Sequence, residues 1–172
     1  MILSLLSIIY GATMKIADLL NEHGLRLFKY ANLLFGLLWG LSGLILSLQA
    51  GSIIASVVLA MNVAFIVRGR LDYLNHQIAS SIIILGIIMF IKVAIIELIV
   101  FYLIFLIFGF IKDYLGDTLQ KKNKLSEMML YYPISTFIYS VIFGYWELFI
   151  VFTVYMISYN FVKLVARKKG YV

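Results

Sequence analysis

"YANLLFGLLWGLSGLILSLQAGSIIASVVLAMNVAFIV", residues 30–67, carries no charged side chain, and its length decides the fold. As one helix it would run about 57 Å at 1.5 Å per residue, against a bilayer hydrocarbon core about 30 Å thick. A single span would need an implausible tilt. The stretch "LQAGS" at 48–52 offers a turn near its middle. The block therefore reads as a hairpin of two short helices.

Two further blocks, 78–111 and 128–162, have comparable length. Lys92 and "FGYWE" (143–147) are their candidate turns. The polar breaks between blocks are "KIADLLNEHGLRLFK" (15–29), "RGRLDYLNHQ" (68–77) and "KDYLGDTLQKKNKLSE" (112–127). With a first span at the N-terminus, the expected fold is all-α: a polytopic membrane bundle of about seven transmembrane helices built from repeated hairpins. Residues 1–172 form one integral membrane domain in this reading. The division at Lys92 leaves the fourth helix short, so residues 78–92 either span fully or re-enter.

Composition agrees. The chain is 64% hydrophobic and 13% charged, with a mean hydropathy of +1.06, far from the balance of a water-soluble domain. The apolar runs are continuous rather than alternating, which excludes a porin-like barrel. There is no cysteine, so disulfides, thiolate metal sites and cysteine nucleophiles are excluded. "MILSLLSIIYGATMK" has neither a basic leader nor a small-residue cleavage pattern, and is expected to be a first span rather than a signal peptide. The net charge of +6 lies in the connections between spans. Under a seven-helix topology every basic residue but Lys92 falls on one face. The positive-inside rule makes that face cytoplasmic, with the N-terminus outside and the C-terminus inside.

The polar breaks share a pattern. "DLLN", "DYLN" and "DYLG" begin at Asp18, Asp72 and Asp113, each followed four residues after its aspartate by a second ionisable group: Glu22, His76 and Asp117. At that spacing each pair shares one face if its helix continues. "IIELIVF" around Glu97 and "YWELFIV" around Glu147 align the fifth and seventh helices, placing Lys163 and Arg167 where Asp113 and Asp117 stand. A hairpin repeated every 45 to 50 residues or so describes the chain.

Two interpretations follow. In the first, Asn21, Gly24, Asn75 and Gly116 cap helices, and Arg68–Asp72 and Asp117–Lys121 are local ion pairs. In the second, the acids hold a cation. A carboxylate at a helix C-terminus opposes the macrodipole by about 0.3–1 kcal/mol, and a bound cation would offset that cost. Paired carboxylate oxygens suit Mg²⁺, which is held by one or two carboxylates plus phosphate oxygens; Lys163, Arg167, Lys121, Lys122 and Lys124 would then hold the phosphate. His23 and His76 are expected to be solvated more readily than catalytic. Tyr131, Tyr132 and Tyr145 read first as an interfacial belt, and Gly36, Gly40 and Gly43 as a close helix contact.

"FGFIKDYLGDTLQKK" (108–122) resembles the second aspartate motif of UbiA-type intramembrane prenyltransferases, with Asp113 and Asp117 as its D-x-x-x-D. "YGATMKIADLLNEHG" (10–24) resembles their first motif: Asp18 matches, Glu22 replaces the last aspartate, and Met14 stands where asparagine is expected. The resemblance implies a Mg²⁺-dependent transferase acting on an isoprenoid or lipid diphosphate at the cytoplasmic face. Asp113 and Asp117 would carry one metal and Asp18 and Glu22 the other, with Asp72, Lys163 and Arg167 shaping the diphosphate pocket. Two alternatives stand beside it. One is a small multi-pass transporter or membrane-assembly protein whose acids are structural. The other is a CDP-alcohol phosphotransferase-like enzyme, although "DYLGDTLQK" transposes that family's Gly and Asp.

Overall fold

A computed structural model describes residues 1–115 and 129–171. It is all-helical, with seven helices among the described residues: α1 (Ile2–Glu22), α2 (Ala31–Ala50), α3 (Ser52–Val67), α4 (Leu74–Phe90), α5 (Ile95–Asp113), α6 (Tyr131–Phe143) and α7 (Trp146–Lys168). Four of them, α1, α2, α5 and α7, are long and apolar enough to cross a membrane. The others are shorter. α4 is one continuous helix from Leu74 to Phe90.

All three expected turns are present. Gly51, with φ 81° and ψ −175°, separates α2 from α3; only glycine adopts that conformation readily. The chain between Phe90 and Ile95 is extended at Ile91 and Ala94, where the Ala94 amide donates to Ser56 Oγ at 2.8 Å. Gly144 closes α6, and Ser140 Oγ bonds the Tyr145 carbonyl across the turn at 2.8 Å.

The packing reaches past sequence neighbours. α1 lies mainly against α7 and α2, α2 against α4, and α3 against α5. Small residues set the α2–α4 register. A Cβ on Gly36 would meet the Asn75 backbone at 2.8 Å, and one on Gly40 would meet Ala79 at 3.0 Å; Gly43 faces Ile83 in the same way. These matched pairs make α2 and α4 parallel. The α1–α7 pair is parallel too, with Gly11 on Tyr155 and Lys15 over the Tyr159 ring. The C-terminal ends of α1, α3, α5 and α7 therefore share one end of the bundle.

α3 is the central element, buried without interruption from Ile54 to Asn62. The exterior is apolar. Along α5, Ile95, Ile96, Ile99, Leu103 and Ile107 are all exposed, a surface suited to hydrocarbon rather than water. Buried hydroxyls such as Ser7, Ser47 and Ser56 bond carbonyls four residues earlier in their own helices, so they enter the core without unmet polar groups.

The end of α3 departs from expectation. Helix stops at Val67 because Gly69 has φ 66°. The Arg70 amide bonds the Phe65 carbonyl and the Gly69 amide bonds that of Ile66, the Schellman pattern. Asp72 thus lies in a loop just before α4, and Asn75 and His76 open α4. Asp72 and His76 do not share a turn of the third helix, and Asn75 does not cap it. Asp72 stands instead near the positive end of α4, where the macrodipole favours a carboxylate.

Candidate functional site at the charged end

α1 presents Asp18 and Glu22 one turn apart at its C-terminal end. α4 reaches them with its first turn. Asn75 Nδ2 donates to the Ala17 carbonyl at 3.1 Å, and Asn21 Nδ2 donates to Asn75 Oδ1. Because Gly36 has no side chain, Asn75 also sits directly on α2. This three-helix contact delivers His76 to the acids, and the edges of Trp39 and Tyr73 meet its ring at 5.6 and 5.5 Å.

Asp18 is buried among partners from three helices, α1, α4 and α7. Tyr159 of α7 donates to its Oδ2 at 2.7 Å, and Lys15 Nζ lies 3.4 Å from the same oxygen. Oδ1 faces His76 Nε2 at 3.3 Å. The other imidazole nitrogen, Nδ1, faces the Arg70 carbonyl at 3.3 Å and Asp72 Oδ1 at 3.6 Å. Asp18, Glu22 and His76 each offer one ligand atom, all within 4.8 Å of one another. Asp72 also borders a cavity of about 440 Å³ between α3 and α4, lined by Ile66, Leu71, Gln77 and Ser80 among others.

Asp113 belongs to a different centre. Arg68 donates to its Oδ2 from Nε at 3.0 Å and Nη2 at 2.8 Å, and Arg70 Nη2 lies 2.6 Å from Oδ1. Both oxygens are engaged by guanidinium groups. Arg68 thus pairs across 45 positions rather than with Asp72, because the helix that would have aligned those two ends at Val67. Glycine at 109 makes room: a Cβ there would fall 2.3 Å from Arg68 Nη1. The short loop 68–73 joins the two centres, sending arginines to Asp113 and Asp72 to His76.

Of the other expected residues, Lys163 and Arg167 lie on the last turns of α7 at this same end. Asp117, Lys121, Lys122 and Lys124 lie outside the described residues. At the opposite end Glu97 accepts a hydrogen bond from Tyr139 at 2.9 Å. Tyr132 is fully buried against Phe105 and Phe152, in the core rather than in an interfacial belt.

His76 is only 4% exposed, contrary to the solvated loop position expected. Its spacing from Asp72 was the available signal. Tyr159 and Lys15 gave less; Tyr159 is four residues before Lys163 and eight before Arg167, the same helical face. No family model matches the chain, and neither does any curated protein or solved structure.

Proposed function

We propose that this is a multi-pass integral membrane protein that binds the diphosphate of a lipid or isoprenoid through a divalent cation at its cytoplasmic end and acts there as a transferase. The observation that carries the reading is the meeting of Asp18, Glu22 and His76 within 4.8 Å, at the end that also bears Arg68, Arg70, Lys163 and Arg167. A cation between the acids would draw phosphate oxygens toward it, and the nearby bases would take the remaining charge. Mg²⁺ is the ion implied by the paired carboxylates, held by Asp18 and Glu22. The described basic residues other than Lys92 gather at this end, which supports a cytoplasmic placement.

Asp113 enters this reading as the group that positions Arg68 and Arg70. Its double ion pair also favours a second reading, a small transporter or assembly protein whose charged helix ends are structural. Binding of geranylgeranyl diphosphate to purified protein, with and without Mg²⁺, separates them. The transferase reading expects cation-dependent binding that Asp18→Asn/Glu22→Gln abolishes. Absence of binding in a stable wild-type protein overturns it.

A further inference from the structure

The acid centre has a third member that an all-oxygen Mg²⁺ site does not require. His76 is buried, its side chain 5% exposed, and its Nε2 is aimed at the carboxylates. Asp18 Oδ1 is 3.3 Å away, within ion-pair distance, yet Nε2 makes no aligned hydrogen bond there. Nδ1 is the nitrogen with acceptors in place, the Arg70 carbonyl at 3.3 Å and Asp72 beyond it at 3.6 Å. A proton on Nδ1 satisfies those acceptors and turns the Nε2 lone pair toward two carboxylates. Three electron-rich atoms then face one another, an arrangement that a cation between them would hold together.

We infer that Asp18, Glu22 and His76 form a binding site for a first-row transition-metal ion such as Zn²⁺ or Fe²⁺. The proposal rests on the reading of this end as a divalent-cation centre and narrows the ion. Imidazole is a good ligand for these metals and a poor one for Mg²⁺, which prefers oxygen and retains its water. The surroundings match what such a ligand set uses. Metal-binding histidines generally donate their other N–H to a carbonyl or carboxylate, and ligating carboxylates are themselves hydrogen-bonded. Arg70 and Asp72 meet the first condition at His76. Tyr159 and Lys15 meet the second, holding Asp18 Oδ2 and leaving Oδ1 for the ion.

Reach is available. Ligands about 2.1 Å from a tetrahedral ion are about 3.4 Å apart, somewhat closer than the present 4.8 Å limit. Glu22 is the member that can close the gap, since its side chain is 42% exposed and, among the ion pairs of the described residues, is held only by a 3.8 Å contact of its Oε2 with His23 Nε2. Its exposure also leaves a side of the ion open to water or to a phosphate oxygen.

The test uses untagged full-length protein in detergent, freed of metal by chelation and titrated with Co²⁺. Visible absorption bands report nitrogen and oxygen ligation. One ion per chain is expected, undisplaced by excess Mg²⁺, with affinity reduced at least about tenfold in both His76→Gln and Glu22→Gln. Glu22 is exposed, so its variant tests the site without threatening the fold. Three results overturn the proposal: no Co²⁺ binding, which leaves Asp18 and His76 an ion pair; binding unchanged in both variants; or displacement by equimolar Mg²⁺. Co²⁺ binding without any diphosphate binding sustains this site and sinks the transferase reading. Mg²⁺-dependent diphosphate binding without Co²⁺ binding does the reverse.

Discussion

Tyr159 donates a 2.7 Å hydrogen bond to Asp18 Oδ2 across 141 positions of sequence, tying the last helix to the acid that anchors the charged end. Tyr159 is 4% exposed and Asp18 is 8% exposed, so neither can substitute water freely. Tyr159→Phe removes the donor while keeping the ring, and should lower stability by about 1–3 kcal/mol, the usual cost of leaving a buried acceptor short. Thermal unfolding in detergent measures this. In a double-mutant cycle with Asp18→Asn the two losses should fall short of adding. Strict additivity would mean that the bond contributes nothing.

Asp113 should behave as an ion-pair centre. Arg68 has a side chain only 2% exposed, whereas that of Arg70 is 43% exposed. Asp113→Ala strands the Arg68 charge in the interior and should destabilise by about 3–5 kcal/mol. Arg70→Ala, at the solvent-screened partner, should stay within about 1 kcal/mol of wild type. Replacing both Arg68 and Asp113 with apolar residues should recover much of the loss. An Asp113→Ala protein as stable as wild type, but unable to bind diphosphate, would instead make Asp113 a ligand.

The α2–α4 contact should be intolerant of small additions. Gly36→Ala places a methyl group 2.8 Å from the Asn75 carbonyl and 2.9 Å from its Cα, and a backbone contact can be relieved only by moving the helix. A loss of about 1–3 kcal/mol is expected. Because Asn75 precedes His76, the same change should weaken metal binding. Gly24→Ala is the control, since its open surroundings offer no clash and only its positive φ opposes the substitution. If Gly36→Ala binds metal as wild type does, the position of His76 does not depend on this contact.

The turns were legible because a simple length argument locates them. An apolar run much longer than a bilayer must fold, and "LQAGS", Lys92 and "FGYWE" were its weakest points. The end of α3 was not legible for a local reason. Gly69 and Asn75 both suit a left-handed helix cap, and nothing in "RGRLDYLNHQ" says which one stops the helix. That single choice moved Asp72 off α3, sent Arg68 to Asp113 and buried His76. Helix partners were hidden as well. The Gly36, Gly40 and Gly43 row announces a close contact, but only the three-dimensional arrangement identifies α4 as the neighbour. Asp18 and Glu22 were recognisable from one-turn spacing, while Tyr159 and His76 reached them from distant segments.

Orientation can be read with a reagent for which the chain is already prepared. It contains no cysteine, so each introduced thiol is the sole target of a membrane-impermeant maleimide. Lys92 is exposed at the α4–α5 turn, and Lys169 follows α7 at the charged end. Both side chains project from helix ends, so substitution there should leave folding intact. If the charged end is cytoplasmic, Lys92→Cys should label in intact cells and Lys169→Cys only after permeabilisation. Arg26→Cys, in the α1–α2 connection, should follow Lys169→Cys because α1 and α7 are parallel. Labelling of Lys169→Cys in intact cells, with Lys92→Cys protected, would invert the protein and place the acid centre outside the cell. Labelling of Arg26→Cys and Lys169→Cys from opposite sides would break the parallel α1–α7 pairing itself.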